Sequence, residues 1–490
     1  MRLITLSRRK AKPNGTGATG EDAHKLKMRT KLFLFAALMI GLVYFRLRAL
    51  VVDRCTRDEI RLINEPLRKD IVDLRAAVDA LDHAYRKESK RPNGTGATGE
   101  DAHKLKMRTK LFLFAALMIG LVYYFSNPHP WTYFDYTLKS ARAIVSGSLS
   151  IDEPPTSWMS ETIPFESHYY SAFPFGSVLT LVPVAFLQKI HVINEFPTMA
   201  VVGITAGCIA LLLLLYTLQY DVSWSKRGML TAAILFGSCM WCNLAFGGTW
   251  QLNLGFAVLG QIGALYFTRT SAPFLAGAFF ALAFGNRTEI ILLVPVFFYL
   301  LGNMKKCAKF SIAPVVLGLA TLLYNYLRFH SPLDFGYARI PGVLKQPWYA
   351  HGIFSIYYVT DNIKAMLLDP SWKVLNQYPY LVPQGMGGSI FLSSPFLILI
   401  FKPGARDGKM KIAAWVAITL LIIPLWLHGS TGGWQFSYRY MMILLPWIFV
   451  LLLESTRARV TLVESALCAI SILFNAWASY LFLWTNYVQP

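Results

Sequence analysis

From residue 111 onward the chain is a succession of apolar runs separated by short polar connections. The first run, 111–125, follows the basic stretch 107–110; others lie at roughly 198–220, 228–246, 252–268, 273–285, 289–302, 310–328, 388–402, 411–427, 440–453 and 460–485. Hydrocarbon about 30 Å thick demands helices of about 20 apolar residues, with every backbone polar group satisfied inside the helix. The pattern therefore predicts an all-α polytopic membrane protein with about eleven membrane-embedded segments after residue 107.

The connections sort by charge. Lys226/Arg227, Arg269, Lys305/Lys306/Lys309, Lys402/Arg406/Lys409/Lys411 and Arg457/Arg459 fall at alternate ends of the runs, which assigns those ends to the cytoplasm. The opposite ends carry residues 247–251, 286–289, a long loop at 330–387, and 429–440. A first extracytoplasmic loop is predicted at 126–175. Between it and Lys226/Arg227 only one crossing fits, so either residues 175–190, broken by Pro183, lie along the interface or re-enter, or Lys226/Arg227 is an exception to the charge pattern; the first is expected. At 273–302 two short apolar runs flank Asn286-Arg287-Thr288-Glu289. Neither spans comfortably upright, so a broken helix pair with Arg287 and Glu289 at the outer face is expected.

Composition agrees. Of 490 residues 55% are hydrophobic and 15% charged, well below the charge of a soluble protein. The net charge of +20 invites a nucleic-acid partner, but its distribution excludes one: residues 1–110 hold 25 Lys/Arg against 13 Asp/Glu, and the remainder sits in the connections. Membrane lipids are the partner such patterning implies. Six cysteines form no disulfide pattern, and Cys239 and Cys242 lie in an apolar run, where cysteine is usually a small hydrophobe.

Residues 1–106 form a basic N-terminal extension ahead of a transmembrane module at 107–490. Residues 13–44 recur identically at 92–123, offset by 79. Structural repeats diverge and recur several times, so this perfect pair reads as a recent duplication or an assembly artefact. Between the copies, Leu67, Ile71, Leu74, Val78, Leu81 and Tyr85 form a short heptad seam on a charged helix. The apolar run 32–45 is short and flanked by Arg46 and Arg48, a weak span.

Candidate chemistry concentrates in the first loop, where Asp135, Asp152, Glu153, Glu161 and Glu166 sit among aromatic residues and prolines. Phe134, Leu138, Ala141 and Val145 share one face of a predicted amphipathic helix that ends at Gly147. Asp135, near its start, is stabilised as an anion by the helix dipole, though acidic residues are common at helix starts for that reason alone. Arg287, Arg328 and Arg439 each fall at the outer end of a predicted span. One such arginine can simply snorkel; three facing a carboxylate loop make a phosphate clamp. Glu161, Tyr169 and Tyr170 read equally as substrate-contacting groups or interface anchors. His168 is a lone loop histidine, and Trp348, Tyr349, Tyr357, Tyr358 and Trp372 suit either sugar stacking or an aromatic belt.

A basic N-terminus, one span, then Asp before a Tyr-containing amphipathic helix and a carboxylate-rich loop resembles the GT-C membrane glycosyltransferases, such as the protein O-mannosyltransferases and the lipid A aminoarabinose transferases. A pattern like E-x-x-P-x-x-x-x-Y-Y-x-x-F-P-x-G stands here from Glu161 through Pro164, Tyr169, Tyr170, Phe173 and Pro174 to Gly176. Further matches run from Ala276 through Arg287 to Glu289, from Tyr324 through Arg328 to Pro332, and from Gly432 to Tyr440. The resemblance covers about 107–490. It implies a GT-C-like helical bundle in the inner membrane, with interfacial helices in a long first extracytoplasmic loop. It also implies an inverting transfer of a sugar from a polyprenyl-phosphate donor to a glycan, lipid or protein acceptor, on the extracytoplasmic face. Such a reaction needs a base for the acceptor proton and cations for the departing phosphate; Asp135 suits the first, and Arg287, Arg328 and Arg439 the second, with Glu289 beside them. Where classical members carry Asp-Glu, this chain has Asp135-Tyr136, so a divalent cation is left open and the sequence requires no cofactor or metal. A transporter or flippase is the rival, although inverted repeats are absent from the sequence; a non-catalytic assembly subunit is another.

Overall fold

A computed structural model describes residues 99–132, 134–152 and 161–488. The duplicated segment's first copy, the run 32–45 and the heptad seam lie outside the described residues. The chain divides into two units, Met1–Leu111 and Phe112–Pro490, and the second carries the loops and the helical bundle.

The described chain is mostly helical. Helix α1 (Gly99–Tyr124) leads into the first loop, which contains α2 (Tyr136–Val145), a hairpin of β1 (Thr162–Phe165) and β2 (His168–Ser171), and α3 (Phe175–Lys189). There follow α4 (Thr198–Thr217), α5 (Trp224–Phe236), α6 (Met240–Phe246), α7 (Thr249–Arg269), α8 (Pro273–Asn286), a 3-10 helix at Thr288–Leu293, α9 (Val294–Leu301) and α10 (Met304–Phe329). The second loop contributes four 3-10 turns, α11 (Val359–Leu367) and the β3 (Trp372–Val374) and β4 (Leu381–Pro383) hairpin. The chain ends with α12 (Ile390–Ser393), a 3-10 helix at Pro395–Phe401, α13 (Gly408–Leu427), a 3-10 helix at Arg439–Leu444, α14 (Leu445–Ser455) and α15 (Leu462–Trp484).

Among the described residues four helices are long and apolar enough to cross a membrane: α4, α10, α13 and α15. A fifth forms if α5 and α6, bent by 49° at their junction, act as one span. By length and composition this is a membrane protein. At 26 residues α10 is about 39 Å long, and its exposed Ile312, Val315, Val316, Leu319, Leu323, Tyr326 and Leu327 form a continuous apolar stripe. The expected run of about eleven segments is corrected accordingly. Several of them are short or broken, because proline interrupts the apolar runs: Pro295, Pro395 and Pro446 each open a new helical segment after a change of pitch.

The helices shuttle between two ends. At the basic end, Lys226 meets Glu464 at 2.8 Å with both side chains fully buried, and Lys402 meets the same carboxylate at 3.2 Å. Arg269 pairs with Asp407 at 2.9 Å, and the Ser223 amide donates to the Ala458 carbonyl at 2.9 Å. The residues assigned to the cytoplasm by charge are thus gathered together. At the other end, the Asn127 amide donates to Ala245 O at 2.9 Å, Trp131 stacks on Phe246 at 4.7 Å, and the Trp484 indole donates to Ser126 O at 2.7 Å.

Helix α3 lies between the first loop and the passage to Lys226. It starts where Gly176 meets Gly285 at the end of α8; a Cβ at Gly176 would sit 2.4 Å from Gly285 Cα, so only glycine allows this contact. Its far end is tied back to the loop helix α2, with Arg142 donating to Gln188 at 2.8 Å and Lys189 to Val145 O at 2.6 Å. The next helix, α4, begins beside Gly247, at the same end where α3 begins. Helix α3, apolar but too short to span alone, therefore makes no net passage between the two ends of the bundle, and α4 makes the passage to Lys226. The predicted reversal at 286–289 is also present, with α8 and the Thr288–Leu301 segment each too short to span alone.

The core surrounds α7, which is buried along most of its length despite Gln251, Asn253 and Gln261. Gln261 resolves its own cost by bonding both ways: it donates to Ile443 O at 2.9 Å and accepts from the Trp447 indole at 2.9 Å.

Candidate functional site

The first loop reaches the site because its backbone caps other elements. The Thr249 amide and hydroxyl both bond the Phe134 carbonyl, at 3.0 and 2.6 Å, which fixes the loop to the first turn of α7. The next residue, Asp135, is the N-cap of α2 and is 8% exposed. The amphipathic face is as the spacing predicts, with Leu138 and Ala141 fully buried, and Gly147 follows the C-cap at φ +87°, where a side chain would be strained.

Trp250 organises what lies around Asp135. Both neighbours of Asp135 pack on it, Phe134 at 4.8 Å and Tyr136 at 5.5 Å between ring centres, and its indole donates to Glu161 Oε2 at 2.7 Å. Burial pushes the Glu161 carboxyl up to about 7; the indole hydrogen bond and the charge of Arg439 pull the other way and only partly offset it. A carboxyl titrating near neutrality can hold or release a proton at physiological pH.

Arg439 opens the 3-10 helix before α14 and is 6% exposed. Among the described residues its guanidinium makes one hydrogen bond, a long one of 3.4 Å to Trp434 O, leaves Nε without a partner, and has no carboxylate within ion-pair distance. Its backbone amide is held by Gln435 at 3.1 Å. Tyr440 lies between two cations, 5.2 Å from the Arg439 guanidinium and 5.0 Å from that of Arg287. Arg287 is neutralised by Glu289 at 2.6 Å.

The second loop closes over this group. Tyr337 and Tyr349 share a hydroxyl–hydroxyl bond of 2.7 Å; burial raises both phenols, Tyr337 to about 12, and the charge of Glu161 adds to the effect in each. His428 sits edge-on to Tyr349 at 5.7 Å and near Tyr440 at 6.5 Å, and burial followed by the charge of Arg287 lowers its pKa. Five separated stretches thus meet at one end of the bundle.

Not every candidate joins them. Arg328 donates to Ser171 O and Asn325 Oδ1, both at 2.9 Å, and stacks 3.9 Å over Tyr324, although its Nε, like that of Arg439, has no partner. It shares no partner with Arg287 or Arg439 and instead ties the β-hairpin to α10. Tyr170 is one register position from Tyr169 and points to the opposite face. Its ring enters the apolar cluster with Ile163, Phe329, Ile340, Val343 and Tyr349, whereas Tyr169 stays partly exposed beside the backbone bridge to Ile151. His168 is exposed at the hairpin turn. Sequence reasoning does not single out Trp250, Tyr337 or His428, and Tyr440 enters only as the last residue of the Gly432–Tyr440 match. Trp250, Tyr337 and Tyr440 fall in stretches assigned to the outer ends, and His428 directly precedes one. Among the described residues no group of three or more His, Cys, Asp and Glu could hold a metal ion.

No family model, no curated protein and no solved structure matches the chain.

Proposed function

We propose that the protein is an integral membrane glycosyltransferase of GT-C type, moving a sugar from a polyprenyl-phosphate-linked donor to an acceptor hydroxyl at the end of the bundle that carries Glu161 and Arg439. The observation that supports this best is the state of Arg439. A nearly buried guanidinium without a carboxylate partner is costly, and an anionic ligand group would supply the missing partner. Guanidinium engages phosphate through parallel N–H bonds, which a lone Trp434 carbonyl does not satisfy.

In this reading the acceptor oxygen forms a bond to the anomeric carbon while its proton passes to the Asp135 carboxylate. The bond from that carbon to the phosphate oxygen breaks, and its electron pair leaves with the phosphate. One displacement inverts the sugar carbon. Arg439 takes the developing phosphate charge. Arg287, already paired with Glu289, orients through Tyr440 and contributes less net charge. Glu161, held by Trp250, bonds a sugar or acceptor hydroxyl in either protonation state. Since Asp135 and Arg439 are both largely covered, ligand entry requires neighbouring side chains to move.

The test is incubation of purified protein with a panel of polyprenyl-phosphate sugars and detection of released polyprenyl phosphate. Release by the wild type and none by Asp135→Asn, with both proteins equally folded, is expected. Equal release by the variant removes Asp135 as the base. Bent and reversed helices also suit a transporter; movement of the intact donor across vesicles without release would favour that rival.

A further inference from the structure

A cavity of about 350 Å³ lies at the basic end, remote from Glu161 and Arg439. Helix α7 runs between the two regions, Trp250 in its first turn and Arg269 at its last residue, a distance of about 30 Å. The ends of α7 and α9 and the starts of α10 and α13 enclose the cavity. Its polar lining includes Thr268, Arg269, Lys306 and Lys409, with Asp407 the one carboxylate. Asp407 is already committed to Arg269 at 2.9 Å. Lys306 and Lys409 have no carboxylate within 4.0 Å among the described residues, and Lys409 rests 4.8 Å over the Tyr299 ring. The Thr268 hydroxyl is buried without a partner.

The charge balance of the lining is therefore positive after the internal pair is subtracted. Gln219 and Ser271 add uncharged polar groups to the wall and Leu300, Leu301 and Met410 apolar ones, and Tyr299 and Met304 beside it are 50% and 79% exposed. Two unpaired cationic groups at a cavity, bordered by exposed apolar surface at the end of membrane-spanning helices, match a phosphate carrying acyl chains. We propose that this cleft holds the phosphate of an anionic phospholipid headgroup, with Lys306 and Lys409 as its cationic contacts. The alternative source of the same chemistry, free phosphate, lacks any use for the apolar border. The proposal rests on the membrane reading of the helices and not on the transferase reading.

The test uses the full chain in nanodiscs of phosphatidylcholine with increasing phosphatidylglycerol, counting retained lipids by native mass spectrometry. Each lysine is expected to contribute roughly fivefold in affinity, so Lys306→Ala with Lys409→Ala weakens phosphatidylglycerol retention about 30-fold. Lys305→Ala with Lys309→Ala removes the same charge from exposed neighbours outside the cavity, and should change retention less than twofold. Thermal unfolding in phosphatidylcholine alone checks that all variants fold. Equal losses in the two double variants would overturn the proposal in favour of diffuse surface attraction. Protection of Lys306 and Lys409 from acylation by millimolar inorganic phosphate as effective as that by phosphatidylglycerol would overturn it in favour of free phosphate. Sugar transfer is not the readout, so either idea can fail alone.

Discussion

Replacing Arg439 and Arg328 by methionine separates a ligand-binding arginine from a structural one, because the two guanidinium groups are equally hidden but differently partnered. Arg328 is 3% exposed and makes two 2.9 Å hydrogen bonds plus a 3.9 Å ring stack. Its loss strands the Ser171 carbonyl and the Asn325 side-chain oxygen, at about 1–3 kcal/mol each. The expected total is about 2–5 kcal/mol of stability, with the hairpin detached from α10. Arg439 is 6% exposed and makes a single 3.4 Å bond. Methionine fills similar volume without a buried charge, so stability should hold or rise. Turnover should fall about 100-fold or more, the usual effect of removing one donor to a developing oxyanion. The assay pairs thermal unfolding in detergent with release of polyprenyl phosphate. If Arg439→Met melts as early as Arg328→Met while turnover persists, Arg439 is a structural residue and the phosphate role is wrong.

Glu161 makes a pH prediction. Its carboxyl is raised from 4.5 to about 7 in the folded protein, so between those values the folded state binds the extra proton. Stability then falls as pH rises through that window, by about 1–3 kcal/mol, and Glu161→Gln removes the slope; an unchanged melting-temperature profile between pH 5 and 8 would refute the assignment. At the basic end, Glu464→Gln leaves Lys226 buried without its 2.8 Å partner and should cost about 3–5 kcal/mol in thermal unfolding. The double change Lys226→Met with Glu464→Leu should recover most of that loss, since an apolar pair needs no compensating charge. If the double variant is no better than the single one, the pair has no such coupling.

Much of this arrangement is legible in the sequence, for identifiable reasons. The loop helix α2 follows from the spacing of Phe134, Leu138 and Ala141, and its stop from Gly147, whose φ of +87° few other residues adopt. The reversal at Asn286–Glu289 follows because a polar cluster between two short apolar runs has nowhere else to go. Charge parity either narrows α3 to an interfacial or re-entrant segment or makes Lys226/Arg227 an exception, and does not choose between them. The continuity of the spans is not legible, since an apolar run reads the same whether it forms one helix or, as at Ile390–Phe401, a short helix and a 3-10 segment. Nor can three arginines at span ends be told apart. Arg328 donates to Ser171, 157 residues away, and only tertiary contact reveals that. Trp250 sits in an apolar flank whose composition does not announce its bond to Glu161.

The central claim is that a lipid phosphate is received beside Arg439. A polyprenyl phosphate carrying a photoreactive group next to the phosphorus, cross-linked to the reconstituted protein and mapped by peptide mass spectrometry, tests it most directly. Labelling of residues 428–444 and of the first turn of α7, lost in Arg439→Met, is the predicted result. Labelling confined to the basic end, around Lys306 and Lys409, or unchanged by Arg439→Met, would contradict it.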